Sequence, residues 1–204
     1  MLSCNESEII AQVKAGDSRA FCELVEEYKR KALSVAYSFC SNYEDAKDLS
    51  QDAFIKAFKS IGRFRAQSKF YTWFYRILVN ICKDYLRRKK NNKFIKFSVK
   101  FKLKDGLVGP EDIFESVASS APGPGQQLLN KELGAHLTKA ITSLSEKQRV
   151  VFTLKNIQQL TLAEIAEITN SALGTVKANL FKATMNLQTK LEEYINVNIP
   201  GGVR

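Results

Sequence analysis

Residues 61–90 read IGRFRAQSKFYTWFYRILVNICKDYLRRKK, and the fold turns on how this stretch is read. Seven aromatics, Phe64, Phe70, Tyr71, Trp73, Phe74, Tyr75 and Tyr85, stand among nine Lys/Arg, with Asp84 the one acid. Rings that stack on bases and cations that track phosphates are what holding an opened nucleic-acid strand requires. On a helix the stretch divides in two. Phe70, Phe74, Ile77, Leu78, Ile81 and Tyr85 form an apolar stripe, which is expected to be core. Arg76, Asn80, Lys83 and Arg87 recur at i, i+4, i+7 and i+11 on another face, with Trp73 one turn earlier. That second face is expected to meet the ligand.

Upstream, the chain reads as three helices. The first covers about Glu6 to Ala15; Gly16 suits its stop, and Asp17 or Ser18 can cap the next. The second runs to about Cys40, with Phe21, Leu24, Val25, Tyr28, Ala32, Val35 and Phe39 on one stripe. The third, Tyr43 to about Ile61, turns Leu49, Ala53, Ala57 and Phe58 inward. On it Asp48, Gln51, Asp52 and Ile55 share a face at i, i+3, i+4 and i+7. Two acids, an amide and an exposed aliphatic suit docking on a basic partner helix. Spacing alone weighs that evenly against a solvated face whose acids favour the helix dipole.

Downstream, residues 93–127 carry a lysine-rich run, KFIKFSVKFKLKDG, then clustered Pro, Gly and Ser. A strand there would have no partner in a helical protein, so a flexible basic linker is expected. Residues 128–195 read as a second helical domain: a helix over Leu128–Thr142, a helix capped by Ser145, one opening at Thr161 with Glu164 in capping-box register, and one over about Gly174–Tyr194. A tail, 196–204, follows. The segment TLAEIAEITNSALGTVKANLFKA has the layout of a helix-turn-helix, with Ala163 and Ala166 small enough for close crossing. Val176, Leu180 and Leu187 face in. Thr175, Ala178, Asn179 and Lys182 face out, where Asn179 could read a base edge and Thr175, Lys177 and Lys182 meet phosphates.

Charge agrees with a polyanionic partner. The 204 residues carry a net charge of +10, concentrated in residues 61–104, where fourteen Lys/Arg face one acid. Residues 1–60 carry eight against ten. Nucleic acid ranks ahead of an acidic membrane surface, because a basic peripheral membrane protein leaves the helix-turn-helix unexplained. No apolar run approaches the ~20 residues of a membrane span, and the first residues lack a signal peptide's pattern. Membrane insertion is not expected, and the chain is expected to work in the cytoplasm. Four scattered cysteines and one histidine give no ligand set for zinc and no disulfide framework. No metal, cofactor or small-molecule substrate is expected. No carboxylate pair or activated nucleophile points to an enzyme.

Two blocks resemble the extracytoplasmic-function sigma factors, the small two-domain members of the bacterial sigma-70 family. They are EDAKDLSQDAFIKAFKSIGRFRAQSKFYTWFYRILVNICKDYLRR and LSEKQRVVFTLKNIQQLTLAEIAEITNSALGTVKANLFKA. With the AGDSRAF turn near the start, the similarity covers most of the chain outside linker and tail. It implies an all-α fold of two small helical domains: region 2 over 1–92 and region 4, a helix-turn-helix, over 128–195.

The resemblance also implies roles. The acidic helix would dock core RNA polymerase through Asp48, Gln51, Asp52 and Ile55, which resolves the even reading toward function. Phe64, Ser68, Tyr71, Trp73, Arg76, Ile77 and Asn80 match the family's segment that recognises and opens the −10 promoter element, a flipped base being held in a loop pocket. Lys83 and Arg87 extend that face. Thr175, Lys177, Ala178, Asn179 and Lys182 would read the −35 element as duplex. An anti-sigma factor is a common family partner. The two elements lie about two duplex turns apart, ~70 Å, and a linker of about 35 residues reaches ~115 Å. Flipping a base costs a few kcal/mol, which stacking can offset. The recognition helix is less basic than is usual in the family, so weak −35 affinity on its own is expected. The competing reading, a free-standing helix-turn-helix regulator of duplex DNA, leaves the acidic face and Phe64–Asn80 without a purpose.

Overall fold

The computed structural model describes residues 4–95, 134 and 136–198, with side chains for 6–89, 134 and 136–192. Four helices build the N-terminal half: α1 (Cys4–Lys14), α2 (Ser18–Cys40), α3 (Tyr43–Ser60) and α4 (Phe70–Ile95). Their boundaries are set by local chemistry. Gly16, at φ +104°, takes the left-handed turn after α1 that a side chain would resist. Asp17 then caps α2, its Oδ1 accepting from the Arg19 amide at 2.8 Å. Asn42 caps α3 by accepting from the Asp45 amide at 3.0 Å. A 3-10 turn, Ile61–Arg63, leads from α3 into the loop before α4.

Alanines 32, 36, 46, 53 and 57 are fully buried on α2 and α3, so these helices approach with little side-chain bulk between them. Aromatics fill the space toward α4. Phe54 stacks on Phe74 with ring centroids 4.7 Å apart, and Tyr28 lies 5.7 Å from Phe70. Phe54 takes the inward place that spacing gave to Phe58, which is 41% exposed and meets the core at Phe21, ring centroids 5.2 Å apart. Phe70, Phe74, Leu78 and Ile81 are buried, as their stripe predicts.

The C-terminal half comprises α5 (residues 136–143), α6 (Glu146–Phe152), a single π-helical turn (Thr153–Ile157), α7 (Leu162–Thr169) and α8 (Leu173–Asn198). The capping box at Thr161 is formed: its Oγ1 accepts from the Glu164 amide at 3.3 Å, and its own amide donates to Glu164 Oε2 at 2.9 Å. Asn170, at φ 49°, makes the left-handed turn between α7 and α8. Ile165 and Ile168 point inward from α7, whereas Ala163 is exposed and takes no part in the crossing. Among the described residues there is no strand. The expected linker beyond Ile95, the start of the helix expected from Leu128 and the end of the tail fall outside the described residues.

The fold is all-α, in two helical units, and these are pressed together. Val150, Val151, Leu154, Leu160, Ile165, Ile168 and Val176 belong to the same apolar core as the interior of α1–α4. A smaller cluster, Ala140, Ile141, Leu144, Ala183 and Leu187, holds α5 to α8. Polar contacts cross the seam as well. Thr153 Oγ1 donates to Ser38 Oγ at 3.1 Å, and Arg149 Nη1 donates to the Phe39 carbonyl at 3.1 Å.

Candidate nucleic-acid interface

The loop before α4 and the first turns of that helix gather most of the chosen residues. Phe64 is buried rather than displayed: its ring packs 5.2 Å from Trp73 and 5.9 Å edge-on to Phe70, under the Lys14 ammonium at 5.6 Å. Lys14 also donates to the Phe64 carbonyl, tying the loop to α1. Trp73 is half-buried, one side on Phe64 and Phe70 and the rest open. Ala66, at φ 54°, bends the loop through a conformation that non-glycine residues seldom take. Beyond it Ser68, half-buried, lines an open cleft of about 360 Å³ with Ala66, Gln67, Lys69, Thr72, Glu164 and Glu167.

Farther along α4, Arg76, Asn80 and Arg87 are exposed and Lys83 half-exposed, on one side of the helix. Arg87 pairs with Asp84 at 3.1 Å, a surface ion pair worth little. Ile77 is half-buried and packs against the core. The structure thus brings Phe64, Ser68, Tyr71 and Trp73 together at one end and sets Arg76, Asn80, Lys83 and Arg87 in a row leading away. Phe64 shapes the loop from below; the open surface belongs to Trp73 and the polar row.

Tyr71 is the exception. Its hydroxyl donates to Glu164 Oε1, and Lys69 Nζ lies 3.0 Å from both that oxygen and the Tyr71 hydroxyl. Burial opposes ionisation of Glu164. The Tyr71 hydroxyl, the Thr161 amide and the Lys69 ammonium outweigh it and hold the carboxyl down at about 2. Lys69 is held above its ordinary value by its bonds to Tyr71 and Glu164. Sequence reading found Glu164 only as a cap and missed Lys69 and Lys14. Lys69 lay inside the basic stretch, but nothing local marks its partner.

On α3 the four chosen residues, Asp48, Gln51, Asp52 and Ile55, are all exposed on one face. Phe58 adds an apolar edge to it. Asp45, one turn earlier, is engaged elsewhere, accepting from Tyr85 Oη at 2.7 Å.

The second helix of the helix-turn-helix, α8, exposes Thr175, Lys177, Ala178 and Lys182. Asn179 is half-buried, and its Nδ2 donates to the Thr175 carbonyl at 2.8 Å. Two apolar side chains that patterning did not select, Phe181 and Met185, are 68% and 48% exposed on the same outward side. Among the described residues no cluster of three His, Cys, Asp or Glu side chains could hold a metal, and no helix is long and apolar enough to cross a membrane.

Comparison with known proteins adds to this geometry. Residues 24–92 match the family model described as Sigma-70 region 2, and residues 136–187 match Sigma-70, region 4. The chain is 34% identical over 186 residues to the ECF RNA polymerase sigma factor SigW of Bacillus subtilis, covering 90% of this chain and 95% of that one. It is 31% identical to the RNA polymerase sigma-H factor of Pseudomonas aeruginosa, with 92% and 94% covered. Against the ECF RNA polymerase sigma-E factor of Escherichia coli K12 it is 32% identical, with the same coverage. Two solved structures share the fold. CnrH, in complex with the cytosolic domain of CnrY, superposes with a TM-score of 0.67 at 22% identity over 93% of this chain and 98% of that one. RpoE of Bartonella quintana, in complex with the anti-sigma factor NepR, gives 0.59 at 24% identity over 83% and 97%.

Proposed function

The chain belongs to the sigma-70 family, as an RNA polymerase sigma factor of the extracytoplasmic-function type, and from that premise we propose how its work is divided among its residues. The factor binds core RNA polymerase and directs it to promoters. Its α3 face, Asp48, Gln51, Asp52 and Ile55, docks the polymerase: two carboxylates steer a basic helix in, and the exposed aliphatic gives the contact an apolar centre. The loop and α4 capture the opened −10 strand. Ser68 and its neighbours line the cleft for a flipped base, Trp73 and Tyr71 offer ring faces, and Arg76, Asn80, Lys83 and Arg87 follow the backbone away from it. Phe64 positions Trp73 and the loop from beneath.

The helix α8 enters the −35 major groove, with Thr175, Lys177 and Lys182 toward phosphates and Ala178 and Asn179 toward base edges. An anti-sigma factor is a further partner in this reading, as the complexes of the fold's solved relatives support. The activity is binding and positioning, with no chemistry on a substrate.

The observation that carries this reading is the adjacency of an acidic docking face on α3 and an aromatic, cationic face on α4 in one chain with a helix-turn-helix. Adding the protein to purified core polymerase is expected to give promoter-dependent transcripts. Asn80→Ala and Trp73→Ala are expected to reduce strand opening while leaving polymerase binding intact. Tight operator binding by the protein alone, with no effect on transcription, would instead identify a free-standing regulator.

A further inference from the structure

We propose that Lys14, at the end of α1, is a positioning residue for base capture: its ammonium holds the Phe64 carbonyl and so sets where the loop that receives the flipped −10 base begins. This rests on the capture role given above to the loop before α4. A lysine in the last turn of a helix ordinarily meets its own helix's free carbonyls, where the dipole favours a cation. Lys14 crosses instead to a carbonyl 50 residues away, and its ammonium lies 5.6 Å from the centroid of the Phe64 ring. One cation thus fixes both the backbone and the ring of the same residue.

Phe64 is where the loop leaves the fixed part of the fold. Its amide donates to the Ile61 carbonyl at 3.0 Å, closing the 3-10 turn, and its ring lies edge-on to Phe70 and 5.2 Å from Trp73. Among the described residues no backbone–backbone hydrogen bond reaches residues 65–68, and the next anchor is the Lys69 carbonyl, accepting from the Trp73 amide at 3.2 Å. The Phe64 carbonyl is therefore the last backbone group tied down before Ala66, whose φ of 54° persists only where its surroundings hold it. The other end of the tie is firm, because Ile9, Ile10 and Val13 bury α1 in the core. Lys14 itself is exposed. Removing its charge leaves no cavity, so its loss frees the loop without unfolding the chain. Stacking offsets the cost of flipping only if Trp73 and the loop already stand at contact distance, which a tie at Phe64 secures.

The test uses the holoenzyme, the full chain on core RNA polymerase, and a fluorescent single strand carrying the −10 region of a promoter from which it transcribes. Copies of that strand carry an abasic tetrahydrofuran nucleotide at each −10 position in turn, and the position where wild type loses most affinity marks the captured base. Lys14→Met keeps the length and removes the donor. It is expected to bind the intact strand about tenfold more weakly than wild type. The strand abasic at the captured position is expected to bind as it does to wild type, and the melting temperature to stay within about 2 °C. Lys14→Arg, whose guanidinium can meet both carbonyl and ring, is expected to restore most of the lost affinity. Equal losses on both strands, with a salt dependence shallower by about one phosphate, would overturn the proposal and make Lys14 a phosphate contact. Equal losses with a lowered melting temperature would overturn it too, leaving Lys14 a support of the fold, and so would unchanged binding to both strands. A wild-type holoenzyme indifferent to abasic substitution at every position would instead sink the capture role itself, and this proposal with it.

Discussion

Arg149 is a buried cation, 8% exposed, within electrostatic reach of Glu146. Its Nη atoms donate to the carbonyls of Phe39, Thr142 and Leu144. The first two carbonyls lie in the last turns of α2 and α5, where unpaired helix carbonyls gather partial negative charge. Burial lowers its pKa, yet a guanidinium stays charged at any ordinary pH. Arg149→Met keeps much of the length and leaves those acceptors without a donor, so it is expected to cost about 2–4 kcal/mol in urea unfolding. Glu164 gives a prediction in pH. Its carboxyl is held at about 2, below the ordinary value of 4.5. A depressed carboxylate adds stability that is present above the unfolded value and lost as pH falls through the folded one. The difference in stability between wild type and Glu164→Gln is therefore expected to be full at neutral pH and to vanish between about 4.5 and about 2. A difference independent of pH would show that the fold does not hold the Glu164 carboxyl down. At this scale the sequence was only half legible. Spacing found Glu164 as a cap because Thr161 lies three residues away; Tyr71 lies 93 residues away, and no local pattern reaches that far. Phe64 shows the complementary limit, since composition marks a ring as able to stack on a base and equally able to pack under one.

The helices themselves were legible because periodicity and caps are local. The stripe of α2, the Asp17 and Thr161 caps and the layout of α7 and α8 follow directly from residue spacing. On α3 a window of neighbouring positions, Phe54, Ile55 and Phe58, had to be shared between core and surface. The aromatic neighbours on α4 decided it, drawing Phe54 in to stack on Phe74. The π-helical turn at Thr153–Ile157 had no signal in the sequence; it brings Thr153 and Gln158 to bear on α2. Because the acids of the α3 face are exposed, their loss should not disturb the fold. Asp48→Lys with Asp52→Lys is expected to change stability by no more than about 0.5 kcal/mol while weakening polymerase binding at least about tenfold, as a pull-down titration against core polymerase would show. Unchanged affinity would move the docking surface elsewhere.

For the whole molecule, composition and the helix-turn-helix pattern were enough to give two helical units. Their union was not, because it rests on apolar side chains that each unit's own periodicity already assigns to a core. Val150, Leu154 and Ile165 look the same in sequence whether they face their own helices or α2 and α4. A shared core makes a thermodynamic prediction. Wild-type protein is expected to melt in a single calorimetric transition, and the double variant Glu164→Gln/Gln158→Ala in two, as the units cease to support each other. One transition in both would mean that apolar packing alone couples them.

The separation of Lys69 and Glu164 along the chain, 95 residues, also has a meaning in time. A bacterial ribosome adding 5–20 residues per second needs about 5–19 s to travel from one to the other. The N-terminal four helices can fold well within that interval, since elementary helix and collapse events take microseconds. Every newly made molecule therefore passes through several seconds in which its N-terminal unit is finished and its partner is not yet synthesised. Translation speed across residues 96–160 thus sets how long the finished N-terminal unit stands without its partner.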